Sequence, residues 1–264
     1  MKTALRLNSV VSHGVGGRGS GAIDLIYTYW LNKYNQNAYS YIMINQIGDD
    51  LGEVFIKDGK KVHLNIKYPS PENFETLSND EQNIIRLNVI HKGLCRIAEK
   101  EDRLDINSLE QIKKIVQEHN FLFEFDCRIF KNKKYDAVAK LIVAPFIDVF
   151  KYYIEIHEKN KLKYKVHIYS GYTTTFYLGE LFKKGIWEKD NIFILRSKGS
   201  TSEIRINYND CIIEYVNLTA YKKDPYFEMF RTDISEKDRE DAKNDWLHSL
   251  PAHIASAIME NKEN

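Results

Sequence analysis

The chain has 264 residues, 43% of them hydrophobic and 28% charged, enough apolar material for one large domain or two small ones. Its 38 basic and 37 acidic residues leave a net charge of +1. That excludes the overall basic excess typical of proteins held by phosphate contacts, and equally the overall acidity of a nucleic-acid mimic.

Residues 1–70 read as a strand-rich N-terminal segment. Residues 4–11 are a first strand, followed by a glycine cluster and then by 22–34, whose pattern fits helix or strand. A further apolar run covers 39–47. Alternation over 53–67 is interrupted by Asp58-Gly59, the signature of a tight hairpin, since a type I′ turn needs positive φ.

Residues 71–120 read as a helical hairpin. Pro69 and Pro71 end the strand pattern. Ser78 and Glu81 have capping-box spacing, and behind them Ile84, Leu87, His91, Leu94 and Ala98 fall on one helical stripe ending near Lys100. A second helix over 108–119 carries Leu109, Ile112, Val116 and His119, with Asn120 as its stop.

Residues 121–219 return to strand periodicity. Phe150, Tyr152, Ile154 and Ile156 alternate with polar neighbours, as do Leu162, Tyr164, Val166 and Ile168. A three-residue loop over 159–161 would set Ile156 opposite Tyr164 and Glu155 opposite Lys165. Further strands are expected at 173–182, 191–196, 203–208 and 211–218, and short sequential strands of this kind imply a meander. Residues 220–264 form a C-terminal helical segment. Ser235 and Asp238 resemble a capping box, a helix follows over 241–250, Pro251 ends it, and a last helix covers 253–259. The expected fold class is therefore α+β: a largely antiparallel meander with the helical hairpin packed on it and C-terminal helices, in one or two compact domains.

Five glycines crowd 14–21, and Gly14, Gly16 and Gly19 match G-x-G-x-x-G after an apolar run. With Arg18 as counter-charge, such a loop could bring backbone N–H groups to a phosphate. Against this, the nearest acidic residues, Asp49 and Asp50, come late for a dinucleotide fold, later strands lack βαβ alternation, and no Lys-Ser/Thr follows for a P-loop. A solvent-exposed loop explains the same glycines.

None of the eight histidines has H-E-x-x-H or H-x3-H spacing. His91 and His119 read as core or boundary residues of their helices. His157, His167 and Glu155 share the polar face of the 150–168 hairpin, where the simple reading is a solvated sheet face and the sharper one a metal or acid–base cluster. No D…E-x-K, Cys–His or G-x-S-x-G arrangement is visible. The lysines of 159–165 read as a solvated strand face, with Leu162 and Tyr164 pointing inward.

Tyr226, Phe227, Met229 and Phe230, with Trp246 on the helix beyond, form an aromatic and methionine cluster of the kind that anchors protein interfaces. The same residues could instead fasten the C-terminus to the sheet. Cys95, Cys127 and Cys211 are far apart and form no C-x-x-C, so they read as reduced core residues. The start is a poor signal peptide and no apolar run reaches bilayer length, so a bacterial cytoplasm is the expected location, the composition being that of an AT-rich genome.

The sequence thus points to a non-enzymatic protein that binds a protein partner, without cofactor, metal, membrane or nucleic acid, in a role such as toxin neutralisation or bacterial defence. The alternative is an enzyme acting on a nucleotide or nucleic-acid phosphate through residues 14–21.

Overall fold

The computed structural model describes residues 3–10, 14–16, 20–69, 71–132, 136–147, 149–171, 184–188, 191–196, 202–217 and 234–249. The chain divides into two compact units, Met1–Glu124 with Ala144–Phe150, and Phe125–Val143 with Lys151–Asn264.

The first unit holds β1 (Ala4–Ser9), α1 (Ser20–Lys33), β2 (Tyr41–Ile47), β3 (Phe55–Asp58), β4 (Lys61–Lys67), a 3-10 turn at Phe74–Thr76, α2 (Asn79–Glu101) and α3 (Ile106–Glu118). Its sheet has the order β1-β2-β4-β3. β1 runs parallel to β2 and β2 parallel to β4, while β3 closes antiparallel on β4. The segment that fitted helix or strand is thus the crossover helix of a parallel βαβ unit. Parallel neighbours cannot be joined by a tight turn, so the glycine cluster opens a helix between β1 and β2. The β3–β4 hairpin forms as its pattern indicates, but only Gly59 has positive φ, at +56°. That excludes the type I′ turn and fits a glycine at the first central position of a type II′ turn.

Both ends of α2 follow from local chemistry. Ser78 Oγ accepts the Glu81 N–H, the Glu81 carboxylate accepts the Ser78 N–H, and Asp102 caps the other end in left-handed conformation. Asp105 caps α3 by accepting from the N–H groups of Asn107 and Ser108. The helical hairpin lies on a sheet, and that sheet is the N-terminal one, whereas the sequence pattern had pointed to the later meander. Gly93 of α2 comes so close to β2 that an added Cβ would sit 2.7 Å from Ile44 Cδ1. The α2 stripe also differs in detail. Leu87, His91, Leu94 and Ala98 are buried, but Ile84 is 42% exposed, and Asn83 and Arg86 take the inner positions. His119 is exposed at the end of α3, stacked on Phe123.

The second unit is antiparallel. One sheet has the order β5 (Phe125–Asn132), β6 (Ala137–Pro145), β7 (Phe150–Glu158), β8 (Lys161–Gly171). The other runs β9 (Lys184–Trp187), β10 (Ile192–Arg196), β11 (Ser202–Asn207), β12 (Ile213–Asn217). Each is a meander of consecutive strands. The two sheets meet where Phe130 packs on Phe193, ring centroids 5.3 Å apart, and accepts the Trp187 indole N–H through its carbonyl at 3.3 Å. The β7–β8 loop has two residues rather than three. Lys159 and Asn160 both take positive φ, 48° and 65°, as a type I′ turn requires. Leu162 beside the turn is 54% exposed instead of inward, while Ile168 is buried and Lys165 lies 3.6 Å from Glu155. A fourth helix, α4 (Glu236–Ser249), starts at the Ser235–Asp238 cap and buries Ala242 and Leu247. The expected elements at 173–182 and 253–259 lie outside the described residues.

Candidate functional site

The parallel register sorts the first sheet into two faces. Leu5, Ile42 and Val62 form one row across β1, β2 and β4, and Leu7, Ile44 and Leu64 the next, all buried. These rows face the helices. The alternate rows are Ala4–Tyr41–Lys61, Arg6–Met43–His63 and Asn8–Asn45–Asn65. Their side chains are half-buried or exposed, and α1, α2 and α3 pack together on the opposite side. β3 extends the middle row with Ile56, which pairs with His63 and is 58% exposed.

The open face is ordered by its own contacts. Asn45 donates to Asn65 Oδ1 at 2.9 Å and Asn8 to Asn45 Oδ1 at 3.4 Å, an amide ladder across three strands. Tyr41 and His63 hold ring centroids 5.9 Å apart. These residues are scattered through the first 65 positions, and nothing in their sequence spacing groups them. The signal that could have found them is the alternation of β2 and β4, which marks strands buried on one face only.

The glycine loop leaves the carboxyl end of β1, next to the end of β2. Its described part is tied inward. The N–H of Val15 donates to Gln46 Oε1 at 2.8 Å, the N–H of Gly16 to Ser9 Oγ at 2.7 Å, and the Val15 carbonyl accepts from Arg86 Nε at 2.9 Å. Gly16 is required because a Cβ there would lie 2.4 Å from the Asn8 carbonyl carbon. Of the amides that the phosphate reading needs, that of Gly16 is therefore engaged within the protein, as is that of neighbouring Val15. Gly14 is half-buried, while Arg18 and Gly19 lie outside the described residues.

A second cluster lies between α2 and α3. His91 and Cys95 are four residues apart on one face of α2, and Glu110 comes from the first turns of α3. Glu110 Oε1 lies 3.0 Å from His91 Nε2, Cys95 Sγ 3.5 Å from the same nitrogen, and the Tyr27 hydroxyl 3.0 Å from Nδ1. Burial holds the His91 pKa below its ordinary value against the pull of Glu110 and so favours the uncharged ring. Burial likewise pushes the Cys95 thiol up, with Glu110 adding to it. A raised thiol beside a nitrogen already facing a carboxylate is not an activated nucleophile. Donor atoms of these three residues all lie within 4.8 Å of one another, the only such group of three among the described residues. The His91–Cys95 spacing was legible in the sequence, but Glu110 was not, because it arrives from another helix.

The hairpin histidines do not converge. His157 Nε2 lies 3.0 Å from Glu155, which Lys165 also approaches at 3.6 Å, whereas His167 bonds Ser170 at 2.7 Å. The cysteines are free, with Cys127 exposed and Cys95 and Cys211 half-buried rather than core. Tyr226, Phe227, Met229 and Phe230 lie outside the described residues, and Trp246 is half-buried on α4 beside buried Leu247. No helix among the described residues is long and apolar enough to cross a membrane. Comparison of the chain with protein-family models, curated proteins and solved structures returned no match.

Proposed function

We propose that the protein works by binding a protein partner, and that the open face of the first sheet is its contact surface. The observation that carries this reading is that, among the described residues of the first unit, a sheet with a parallel β1-β2-β4 core has helices on one face only. Parallel sheets occur almost always with both faces covered, because their crossover helices bury them. Here the open face presents Met43 and His63 at its centre with Tyr41 beside them, Ile56 exposed on the edge strand β3 and Arg6 on the opposite edge strand β1, an apolar and aromatic patch set among polar side chains. The amide ladder holds these side chains in place before contact, which lowers the ordering cost of binding. Neutralising a toxin, or serving in a bacterial defence system, is the kind of role such a surface performs.

The phosphate alternative draws on the strand–loop–helix setting of residues 14–21. It is the weaker reading because the N–H groups of Val15 and Gly16 already have partners. ATP, NAD or a cyclic nucleotide that raised the melting temperature would revive it.

The test is a photo-crosslinking side chain placed at Met43 or at Ile56, with Lys114 on the outer side of α3 as control. In cells of the native host, positions 43 and 56 should give the same discrete adduct, and the adduct at position 43 should be lost in an Arg6→Glu, Ile56→Glu variant whose circular dichroism is unchanged. No adduct, or an equal one at position 114, would refute this surface.

A further inference from the structure

We propose that His91, Cys95 and Glu110 form a binding site for one divalent transition-metal ion of the zinc type, which joins α2 to α3. This inference is independent of the partner-binding surface, which lies on the other side of the sheet's helices.

Two of the three separations suit such an ion closely, and all three donor atoms lie within 4.8 Å of one another. In a tetrahedral zinc site the Zn–N distance is about 2.05 Å and Zn–S about 2.3 Å, which places the nitrogen and sulfur roughly 3.5 Å apart. Cys95 Sγ and His91 Nε2 are 3.5 Å apart. A nitrogen and a carboxylate oxygen on the same ion would be separated by about 3.3 Å. Glu110 Oε1 and His91 Nε2 stand at 3.0 Å, a few tenths closer.

Hydrogen bonding alone accounts for the cluster less well. A neutral imidazole nitrogen offers either one N–H or one lone pair. If Nε2 carries the proton it serves Glu110, and the Cys95 sulfur beside it has no role. If Nδ1 carries the proton, it donates to the Tyr27 hydroxyl, which in turn reaches the Leu109 carbonyl at 3.4 Å. The Nε2 lone pair then faces a thiol and a carboxylate, three donors around one point. A cation satisfies all three at once. The Tyr27 bond to the far ring nitrogen is the arrangement that orients metal-binding histidines, fixing both tautomer and ring plane.

The donor set selects the ion. One nitrogen, one sulfur and one oxygen suit zinc or cobalt, whereas magnesium and calcium require oxygen ligands throughout. On coordination Cys95 loses its proton to solvent and binds as thiolate, and no electron is transferred. His91 is buried, Cys95 half-buried and the Glu110 side chain 61% exposed, so the ion enters from the Glu110 side. A fourth position there is open to water.

The experiment is a cobalt titration of the untagged, full-length chain after chelator treatment. One equivalent of Co2+ should bind, giving the strong visible bands of a tetrahedral site and a thiolate-to-cobalt charge-transfer band in the near ultraviolet. Zn2+ should displace it. Cys95→Ser should abolish the charge-transfer band. Glu110→Gln should keep that band and weaken binding by more than about tenfold, and Tyr27→Phe should weaken it about 10–100-fold as an outer partner does. Both Cys95 and Glu110 reach the surface, so their variants should fold, as circular dichroism would check. Absence of the tetrahedral spectrum in the wild-type chain overturns the assignment, and so does unchanged affinity in the Cys95→Ser and Glu110→Gln variants.

Discussion

Asp24 of α1 accepts the backbone N–H of Leu7 through Oδ1 at 3.0 Å. It is the first of three such contacts, since Thr28 Oγ1 accepts the N–H of Leu5 at 3.0 Å and Asn32 Oδ1 the N–H of Thr3 at 2.9 Å. The spacing of four residues on the helix meets the spacing of two on the strand. β1 is an edge strand, and its outward N–H groups would otherwise template pairing with another chain. Helix side chains occupy those of Thr3, Leu5 and Leu7, which blocks strand addition along this stretch of β1.

This contact predicts an unusual pH response. Burial raises the Asp24 pKa well above that of a free carboxyl, opposed by the Leu7 N–H and by Arg6 and Arg86. A carboxyl whose folded pKa is raised favours the fold while protonated. Its contribution is complete below the unfolded value of about 3.9 and is lost as pH rises through the folded pKa. Asp24→Asn keeps an acceptor for Leu7 and should flatten that part of the stability curve in urea titrations from pH 4 upward. Asp24→Ala leaves the Leu7 N–H unsatisfied and should be less stable than Asp24→Asn by about 1–3 kcal/mol at every pH. If the Asn variant retained the wild-type pH dependence, Asp24 would not be its source.

Gly16 should tolerate no side chain. A Cβ would meet the Asn8 backbone at 2.4 Å, and backbone cannot move aside as a side chain can. Gly16→Ala should lower stability by about 1–3 kcal/mol, the usual range for overpacking. Gly52→Ala, with nothing within 4 Å of the added carbon, serves as control. Equal melting temperatures for the two variants would contradict the tight approach of loop and strand.

Leu94 and Ile84 lie on the same helix and differ only in what surrounds them. Leu94 has no exposed surface and Ile84 has 42%. Leu94→Ala should cost about 2–5 kcal/mol by opening a cavity, while Ile84→Ala should stay within roughly 0.5 kcal/mol. Thermal denaturation of the pair checks the orientation of α2, and similar losses for both would show it wrongly rotated.

Glu203 in the second unit is 2% exposed between two arginines. Arg205 donates to it at 2.6 Å, and Arg196, its direct cross-strand neighbour, stands at 2.8 Å. Both arginines are over a third exposed and can turn to water, whereas the carboxylate cannot. Removing both arginines should therefore destabilise by about 3 kcal/mol or more, and Glu203→Gln by less. Urea unfolding of the two variants orders them, and the reverse order would show that the arginines, not Glu203, depend on the network.

Local chemistry is where the sequence by itself was sufficient. The Ser78–Glu81 box, the Asp58–Gly59 hairpin, the helical stripe through Leu87 and Leu94, and the alternation of 150–168 each depend on residues a few positions apart, so their signals survive in one dimension. Pairing direction does not. Nothing in residues 4–11 and 39–47 distinguishes parallel from antiparallel partners, because either face-alternating strand satisfies both until the connection between them takes shape. Once 20–33 became a crossover helix, β1, β2 and β4 aligned, and that alignment alone produced the amide ladder, the open face and the closed β1 edge. The turn at Lys159 and Asn160 shows the same limit on a smaller scale, since the pattern allowed a three-residue loop where the folded chain closes in two and leaves Leu162 exposed at the start of β8. Glu110 reached His91 and Cys95 only when α3 folded back on α2, for side chains that share a site through two helices leave no spacing in the chain to read.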